Sequence, residues 1–194
     1  MTKMLLRATA ALFLASAPAA FAPAMAQQLS PAVIVIVDMD RVVNESAAGK
    51  QASTEIQGKI TGLQTRASTL QTQLKTDADS IQAGQANKSL AGPALEQRAR
   101  AFQQKQQDAQ NELQRAEQDI QRSRNYVIQQ ITQGANPIIT TIMRERNASI
   151  ALQKDATLQH SASLDVTNDV VARLNTALPR VSTTPPVATA PAPR

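Results

Sequence analysis

The residues that could carry out chemistry are few in this chain and lie far apart. His160 is the only histidine and there is no cysteine, so the sequence contains no metal-ligand spacing and no nucleophile paired with a base. Asp38 and Asp40 stand close together, but nothing around them predicts the pocket that a catalytic carboxylate pair needs, and they fit better as caps at a helix start. We therefore expect a protein that is not an enzyme, with no catalytic residue, no metal and no cofactor.

The composition limits the class of partner. The chain has 194 residues and a net charge of +5, which falls to about +3 without Lys3 and Arg7. That charge is too weak to argue for nucleic acid. Beyond residue 26 the only aromatic residues are Phe102 and Tyr126, too few for a platform on which single-stranded bases stack. A nucleic-acid binder is therefore the weakest of the functions considered.

The N-terminal region has the features of a secretory signal peptide. Lys3 and Arg7 lead into an apolar stretch at residues 8–15, and Ala24-Met25-Ala26 matches a small-residue cleavage site. The stretch is too short to span about 30 Å of hydrocarbon. We expect export to the periplasm with cleavage after Ala26, so that residues 1–26 are removed. An uncleaved membrane anchor is the alternative.

Short apolar segments predict a small sheet. The β-branched run at residues 33–37 predicts a buried strand, and two alternating stretches at 149–152 and 157–160 predict a hairpin that turns at 154–156. So few strands form a marginal core alone, and several copies of the chain are therefore expected to pool them. The residues expected to make this oligomer contact are Val33, Ile34, Val35, Ile36, Val37, Ile150, Leu152 and Leu158.

A long helical region, from about residue 40 to 142, contains two runs of residues spaced alternately by four and three. This 3.5-residue spacing is typical of a coiled coil. Between the runs, Gly84 suits a helix end and Pro93 a helix start, so an antiparallel hairpin about 60 Å long is expected. The predicted seam consists of Ile56, Ile60, Leu63, Ala67, Leu70, Leu74, Asp77 and Ile81, and of Leu95, Ala99, Phe102, Gln106, Ala109, Leu113, Ala116, Ile120, Ser123 and Val127.

The predicted organisation is α+β and mostly helical. Residues 27–49 and 135–178 are expected to form a β-rich oligomerisation body, with a last helix at 164–178 whose N-cap is Asp165 or Thr167. Residues 50–134 form the hairpin arm, which the small and polar seam residues should leave thin and flexible. Residues 179–194, rich in Pro, Thr, Ala and Val, are expected to be disordered.

Segments at the start of the long helical region and after its end resemble the Skp/OmpH family of periplasmic chaperones. Residues 37–50 read V-D-M-D-R-V-V-N-E-S-A-A-G-K and resemble the family's strand-to-helix V-D segment followed by S-x-x-G-K. Residues 149–152 and 158–160 resemble its two closing strands, and residues 164–171, which include Asp165-Val166-Thr167, resemble its D-x-T helix start. The order of elements matches up to about Leu178. His160 stands where relatives often carry an aromatic residue, the arm tip lacks a dense lysine cluster, and the Pro-rich tail is extra.

This resemblance implies a jellyfish-like homotrimer. The strands would form a central β-barrel, and three hairpins would hang from it around a cavity. The family holds unfolded outer membrane proteins in that cavity without ATP, so the implied function is a periplasmic holdase chaperone. A structural coiled-coil spacer or tether in the bacterial envelope is the alternative.

Basic residues near the arm tip are candidate contacts for acidic clients, anionic membrane surfaces or lipopolysaccharide. The alternative is that these residues form an ordinary solvated helix face with no binding role, because Asp77, Asp79 and Glu96 partly cancel the positive charge of the tip. The candidate contact residues are Lys75, Lys88, Arg98, Arg100 and Lys105.

Overall fold

The computed structural model describes residues 31–186. They form strand β1 (Ile34–Val37), helices α1 (Met39–Glu45), α2 (Ala47–Ala86) and α3 (Gly92–Glu145), strand β2 (Ile150–Gln153) and helix α4 (Thr167–Ala177). Single turns of 3-10 helix cover Lys154–Ala156 and Ala162–Leu164. This mostly helical architecture with a small sheet agrees with the predicted class. The predicted signal peptide and residues 187–194 lie outside the described residues.

Polar caps divide the start of the helical region into α1 and α2, where one continuous helix was expected. The Asp38 carboxylate begins α1 by accepting the Arg41 amide at 2.9 Å. Ser46 ends α1 and begins α2, and its Oγ accepts the Gly49 amide at 3.1 Å. A Cβ atom on Gly49 would lie 1.6 Å from the Val43 carbonyl oxygen. Only glycine therefore permits the two helices to meet so closely.

Helices α2 and α3 form the predicted antiparallel hairpin, which turns at residues 87–91. Every predicted seam residue except Gln106 is buried or half-buried, which confirms the 3.5-residue spacing. At the turn the Leu90 amide donates to the Gly84 carbonyl at 2.9 Å, and the Leu90 side chain occupies the space that a Cβ on Gly84 would fill. Partway along the hairpin, Arg66 and Glu112 join the two helices through paired contacts of 2.6 and 3.0 Å.

The two strands pair in parallel, with Ile34 opposite Ile150 and Val37 opposite Gln153. On its other side β1 makes a single bridge, where the Val166 amide donates to the Ile36 carbonyl at 2.9 Å. Strand β1 is therefore central. Strand β2 has one edge that pairs with none of the residues from 31 to 186.

The hairpin predicted after β2 does not form in the described chain. Lys154–Ala156 forms a turn of 3-10 helix, and the Thr157 amide and hydroxyl both donate to the Lys154 carbonyl, at 2.9 and 2.8 Å. After this tight turn residues 157–160 pair with neither strand, and Leu158 is fully exposed. The alternation of apolar and polar residues at 157–160 indicates a preference for extended backbone. It does not indicate whether another strand is close enough to pair with that segment.

One chain supplies the body with a hydrophobic core of its own. Val35, Ile36 and Val37 of β1 are at most 3% exposed, because segments of the same chain cover them. This contradicts the expectation that burial of these three residues requires other copies. The core continues into the base of the predicted arm, and the cluster around Val35 and Val37 includes Val42, Ala48, Ala52, Ile56, Ile120, Val127, Ile131, Ala135, Ile142, Val166, Val170, Leu174 and Val181.

Residues 179–186, here called the C-terminal strap, pack against the base of the hairpin. Val181 is 8% exposed and Thr183 is 6% exposed. These residues were expected to be disordered with the rest of the tail, because their composition lacks large apolar side chains. The structure corrects that expectation for residues 179–186: two small β-branched side chains and several polar contacts hold the strap in place.

Candidate functional site

The two sequence motifs that carry the family resemblance meet in the body, at a group of four residues here called the motif junction: Asp38, Lys154, Asp165 and Thr167. The Asp38 amide donates to Thr167 Oγ1 at 2.9 Å, and Lys154 Nζ donates to Asp38 Oδ2 at 3.0 Å. Asp165 Oδ1 accepts the Thr167 amide at 2.8 Å. Asp165 or Thr167 was predicted to be the N-cap of α4, and this was wrong: Val166 occupies that position, without a side-chain cap. Asp165 instead lies one residue before the N-cap and binds the amide of the first helical residue, Thr167.

Hydrogen bonds and nearby positive charge favour the ionised form of both carboxylates at the junction. The Arg41 amide, assisted by Lys154, lowers the pKa of Asp38 although partial burial opposes the shift. Burial raises the pKa of Asp165, but the Thr167 hydroxyl and amide, with Arg41 and Lys154, outweigh burial and leave that pKa lowered. The two carboxylates hold Lys154 and the start of α4 in place through their hydrogen bonds.

His160 lies beside the junction and has no catalytic or metal-binding arrangement. Its Nδ1 is 3.5 Å from Thr157 Oγ1, and its Nε2 is 4.0 Å from Asp165 Oδ2. Across residues 31–186, no group of three or more metal-binding side chains lies close enough together to hold an ion. His160 was placed on a strand by the sequence pattern, whereas it lies in an irregular segment.

The predicted oligomerisation residues separate into two groups. Val35, Ile36 and Val37 are buried within one chain, and Ile34 and Leu152 are half-buried. Val33 and Ile150 are each 42% exposed, and Leu158 is fully exposed. Ile150 lies in β2, whereas Val33 accepts the Ser149 and Ile150 amides on the paired side of that strand, and Leu158 follows the 3-10 turn after it.

Clefts flank the hairpin where its seam residues are small. On one side, a cleft of about 790 Å³ is bounded by Leu63 and Ile120, with Arg66 and Glu112 at its wall and Pro186 of the strap at one end. A second cleft of about 370 Å³ is lined by Ile60, Ala67 and Leu113, among others. Small seam residues, Ala67 and Ala116, lie among the residues that line these clefts, beside larger apolar ones.

The basic residues predicted at the arm tip do not form a uniform positive patch. Lys75 pairs with Asp79 at 2.7 Å, Arg100 with Glu96 at 3.2 Å, and Lys105 reaches across the hairpin to Asp77 at 2.5 Å. Exposed pairs of this kind contribute little to stability, but each cancels a charge that a partner would otherwise meet. Among the five residues, Lys88 and Arg98 make no ion pair with the described residues.

The strap contacts are the feature that sequence reasoning missed. Gln130 Nε2 donates to the Ser182 carbonyl at 2.8 Å, and the Ser182 amide donates back to Gln130 Oε1 at 3.1 Å. Lys59 Nζ donates to the Thr183 carbonyl at 2.8 Å and to Ser123 Oγ at 3.0 Å. The only available signal was the short β-branched alternation Val181-Ser182-Thr183, which is weak beside the surrounding prolines.

Comparisons with known proteins agree with the fold. The family model described as outer membrane protein (OmpH-like) matches residues 33–174. No curated protein matches the chain. Among solved structures, a candidate outer membrane chaperone (OmpH-like) from Caulobacter crescentus CB15 superposes with a TM-score of 0.71, at 21% identity, over 79% of this chain and 90% of that one. At this identity the likeness establishes a shared fold. Because the family match spans well over half of its residues, the chain belongs to the OmpH-like outer membrane protein family.

Proposed function

We propose that the protein is an ATP-independent periplasmic holdase chaperone. It binds unfolded outer membrane proteins between its helical arms and prevents their aggregation. A chaperone role agrees with the OmpH-like family, and so does the prediction that the chain is not an enzyme. The observation that carries the finer proposal is the hairpin itself, whose long thin seam of small residues leaves apolar clefts open on its flanks.

Such an arm suits a partner that has no fixed shape. Ala67, Ala109 and Ala116 bury little area, so separating or bending the helices near them costs little free energy. Shallow apolar clefts and exposed polar side chains then offer many weak contacts to an unfolded chain. Weak contacts permit release without a nucleotide, because no single interaction holds the client.

The proposed assembly is a homotrimer, joined through the free edge of β2. An unpaired strand edge is a template for pairing with another chain. Ile150 is exposed on that strand and, with the exposed Val33 and Leu158, would lose contact with water in such an interface. The three arms would then surround one cavity. Export by cleavage after Ala26 would place this assembly in the periplasm.

The proposed tip contact with anionic lipid or lipopolysaccharide is limited to a few charges. Lys88 and Arg98 are exposed and make no ion pair with the described residues, whereas Lys75, Arg100 and Lys105 are each paired. We therefore expect the tip to steer partners weakly at low salt, with screening of the attraction beyond about 10 Å at 0.1 M salt.

A structural spacer or tether remains the second candidate, and one observation favours it. Arg66 with Glu112 and Lys105 with Asp77 are ion pairs between the two helices that fix their register. A rigid spacer would need such pairs, but exposed pairs contribute only about 0.2–1 kcal/mol each.

The experiment that tests the proposal is dilution of a urea-denatured outer membrane β-barrel protein into buffer without nucleotide, with turbidity as the readout. A holdase keeps the client in solution at about one assembly per client. A spacer leaves the turbidity unchanged for every unfolded client and instead binds one folded partner.

A further inference from the structure

We propose that the base of the hairpin is a binding site for one short segment of a client polypeptide, and that the C-terminal strap occupies this site within the same chain. The inference rests on the proposed holdase function and adds a second contact surface, which adjoins the larger arm cleft because Lys59 lines both. The site consists of Gln51, Glu55 and Lys59 on α2 and Gln130 on α3.

The site recognises backbone. The side-chain amide of Gln130 bonds both the carbonyl and the amide of Ser182, at 2.8 and 3.1 Å, as a neighbouring β-strand would. Lys59 donates to the next carbonyl, that of Thr183, at 2.8 Å, and Gln51 Oε1 accepts the Val181 amide at 3.4 Å. Because every polypeptide offers these backbone groups, the contacts do not depend on the sequence of the bound segment.

The side chains of the strap show which segments fit. Val181 and Thr183 are buried, whereas Ser182 and Thr184 are exposed, so alternate residues of this short segment face the hairpin. The chain bends at Thr183 and Thr184, where the Thr184 amide donates to Ser182 Oγ at 3.1 Å. The Thr183 hydroxyl also donates to Glu55 at 2.9 Å. The site therefore selects a short segment with a small β-branched residue on either side of a polar one.

Strands of outer membrane barrels carry this alternating pattern, with apolar residues on the lipid side and polar residues on the lumen side. The strap therefore has the same alternation of β-branched and polar residues as a strand of an unfolded client. A client strand would displace the strap, and the strap would return when the client leaves. Tethering keeps the strap at high effective concentration, so only a client held near the site by the arms competes well.

The test uses a fluorescent peptide of residues 179–186 and measures its anisotropy with the full-length chain. In the unchanged chain the strap fills the site. In the Val181→Asp, Thr183→Asp chain it is unseated, and the peptide should bind with at least a tenfold lower apparent Kd, because the competent fraction of the site rises. Ser182→Pro unseats the strap by removing the amide that donates to Gln130. This chain must show the same tenfold fall in the apparent Kd of the peptide.

Matched controls test the geometry. In the unseated chain, Gln130→Ala should weaken peptide binding about fivefold or more, and Gln129→Ala, one position along the same helix, should leave it unchanged. A peptide N-methylated at Ser182 should bind more weakly than one N-methylated at Thr183, whose amide donates to none of the described residues. An unlabelled eight-residue peptide in which Val or Thr alternates with Ser should displace the fluorescent peptide. A peptide of the same composition, with all Val and Thr residues grouped before the Ser residues, should not displace it.

Equal peptide binding by unchanged and unseated chains, with circular dichroism showing all of them folded, would overturn the inference. An oligomer mass that is larger for the unchanged chain than for the unseated chain would show that the strap occupies the site of a second copy, and this would also overturn the inference. Turbidity assays on the unchanged chain test the holdase function separately. Aggregation suppression without peptide binding would leave that function standing and reject only this site.

Discussion

The hydroxyl of Thr167 accepts a hydrogen bond from the backbone amide of Asp38 at 2.9 Å, across 129 positions of sequence. Asp38 and Thr167 lie within the two segments that resemble the Skp/OmpH family. Thr167 is fully buried, and Asp38 begins α1 while Thr167 begins α4. This bond therefore joins the two ends of the region that encloses the hairpin, and it explains in physical terms why an Asp and a Thr stand at these positions.

Replacing Thr167 by Val tests this bond, because the shape is kept and the acceptor is lost. The Asp38 amide would then be left without its partner in a largely buried position, so we expect unfolding to require about 1–3 kcal/mol less free energy. Urea denaturation followed by circular dichroism measures the change. Thr176→Val is the matched control on the exposed face of α4 and should change stability by less than about 0.5 kcal/mol.

Gly49→Ala tests the close approach of α1 and α2. The added Cβ would collide with the Val43 carbonyl oxygen, which belongs to the backbone and cannot rotate aside. We expect a loss of about 1–3 kcal/mol or more. Gly58→Ala is the control within the same helix, since its Cβ would meet nothing within 4 Å, and it should stabilise by about 0.5–1 kcal/mol. Similar effects of the two changes would contradict the structure.

Stability should fall in acid because Asp38 and Asp165 have lowered pKa values in the folded chain. A carboxylate of this kind contributes stability that is fully present above its unfolded pKa, near 3.9, and is lost as the pH falls through its lower folded value. We expect the free energy of unfolding to be level near neutral pH and to decline below about pH 4. In the Asp38→Asn, Asp165→Asn chain, stability should be lower at neutral pH and the acid decline smaller.

Substitution by Asp distinguishes residues of the body core from residues at its proposed interface. Ile36→Asp should unfold the chain, since Ile36 is 2% exposed within one subunit. Ile150→Asp with Leu158→Asp should leave helix content intact and lower the oligomer mass seen by light scattering. Ile128→Asp is the control, because Ile128 is an exposed Ile on α3, 47% exposed against 42% for Ile150. An unchanged oligomer after the double change would place the interface elsewhere.

The sequence predicted the regular parts of this fold well, because they depend on local spacing. The 4-3 alternation placed the hairpin seam correctly from Ile56 to Val127, apart from the exposed Gln106, and Asp38 was correctly expected to cap a helix. The break at Ser46 was missed because apolar spacing continues across it.

The missed features depend on contacts between distant residues. Composition alone predicted disorder for the strap, since it carries no information about Lys59 and Gln130, which bind its backbone. The burial argument for an oligomer likewise overlooked α4 and the base of α3, where Leu174 and Ile131 complete the core of a single chain.

Holdase activity carried by the arm is the central claim, and shortening the hairpin tests it most directly. A chain that joins Lys59 to Ser123 through a short Gly-Ser turn keeps the body and the residues that contact the strap, and removes the arm with most of the lining of both clefts. In dilution of a urea-denatured outer membrane β-barrel protein, turbidity should stay low with the full-length chain. It should rise to near the chaperone-free value with the shortened chain, although light scattering shows the same oligomer. Equal protection by the shortened and full-length chains would contradict the claim that the arms hold the client.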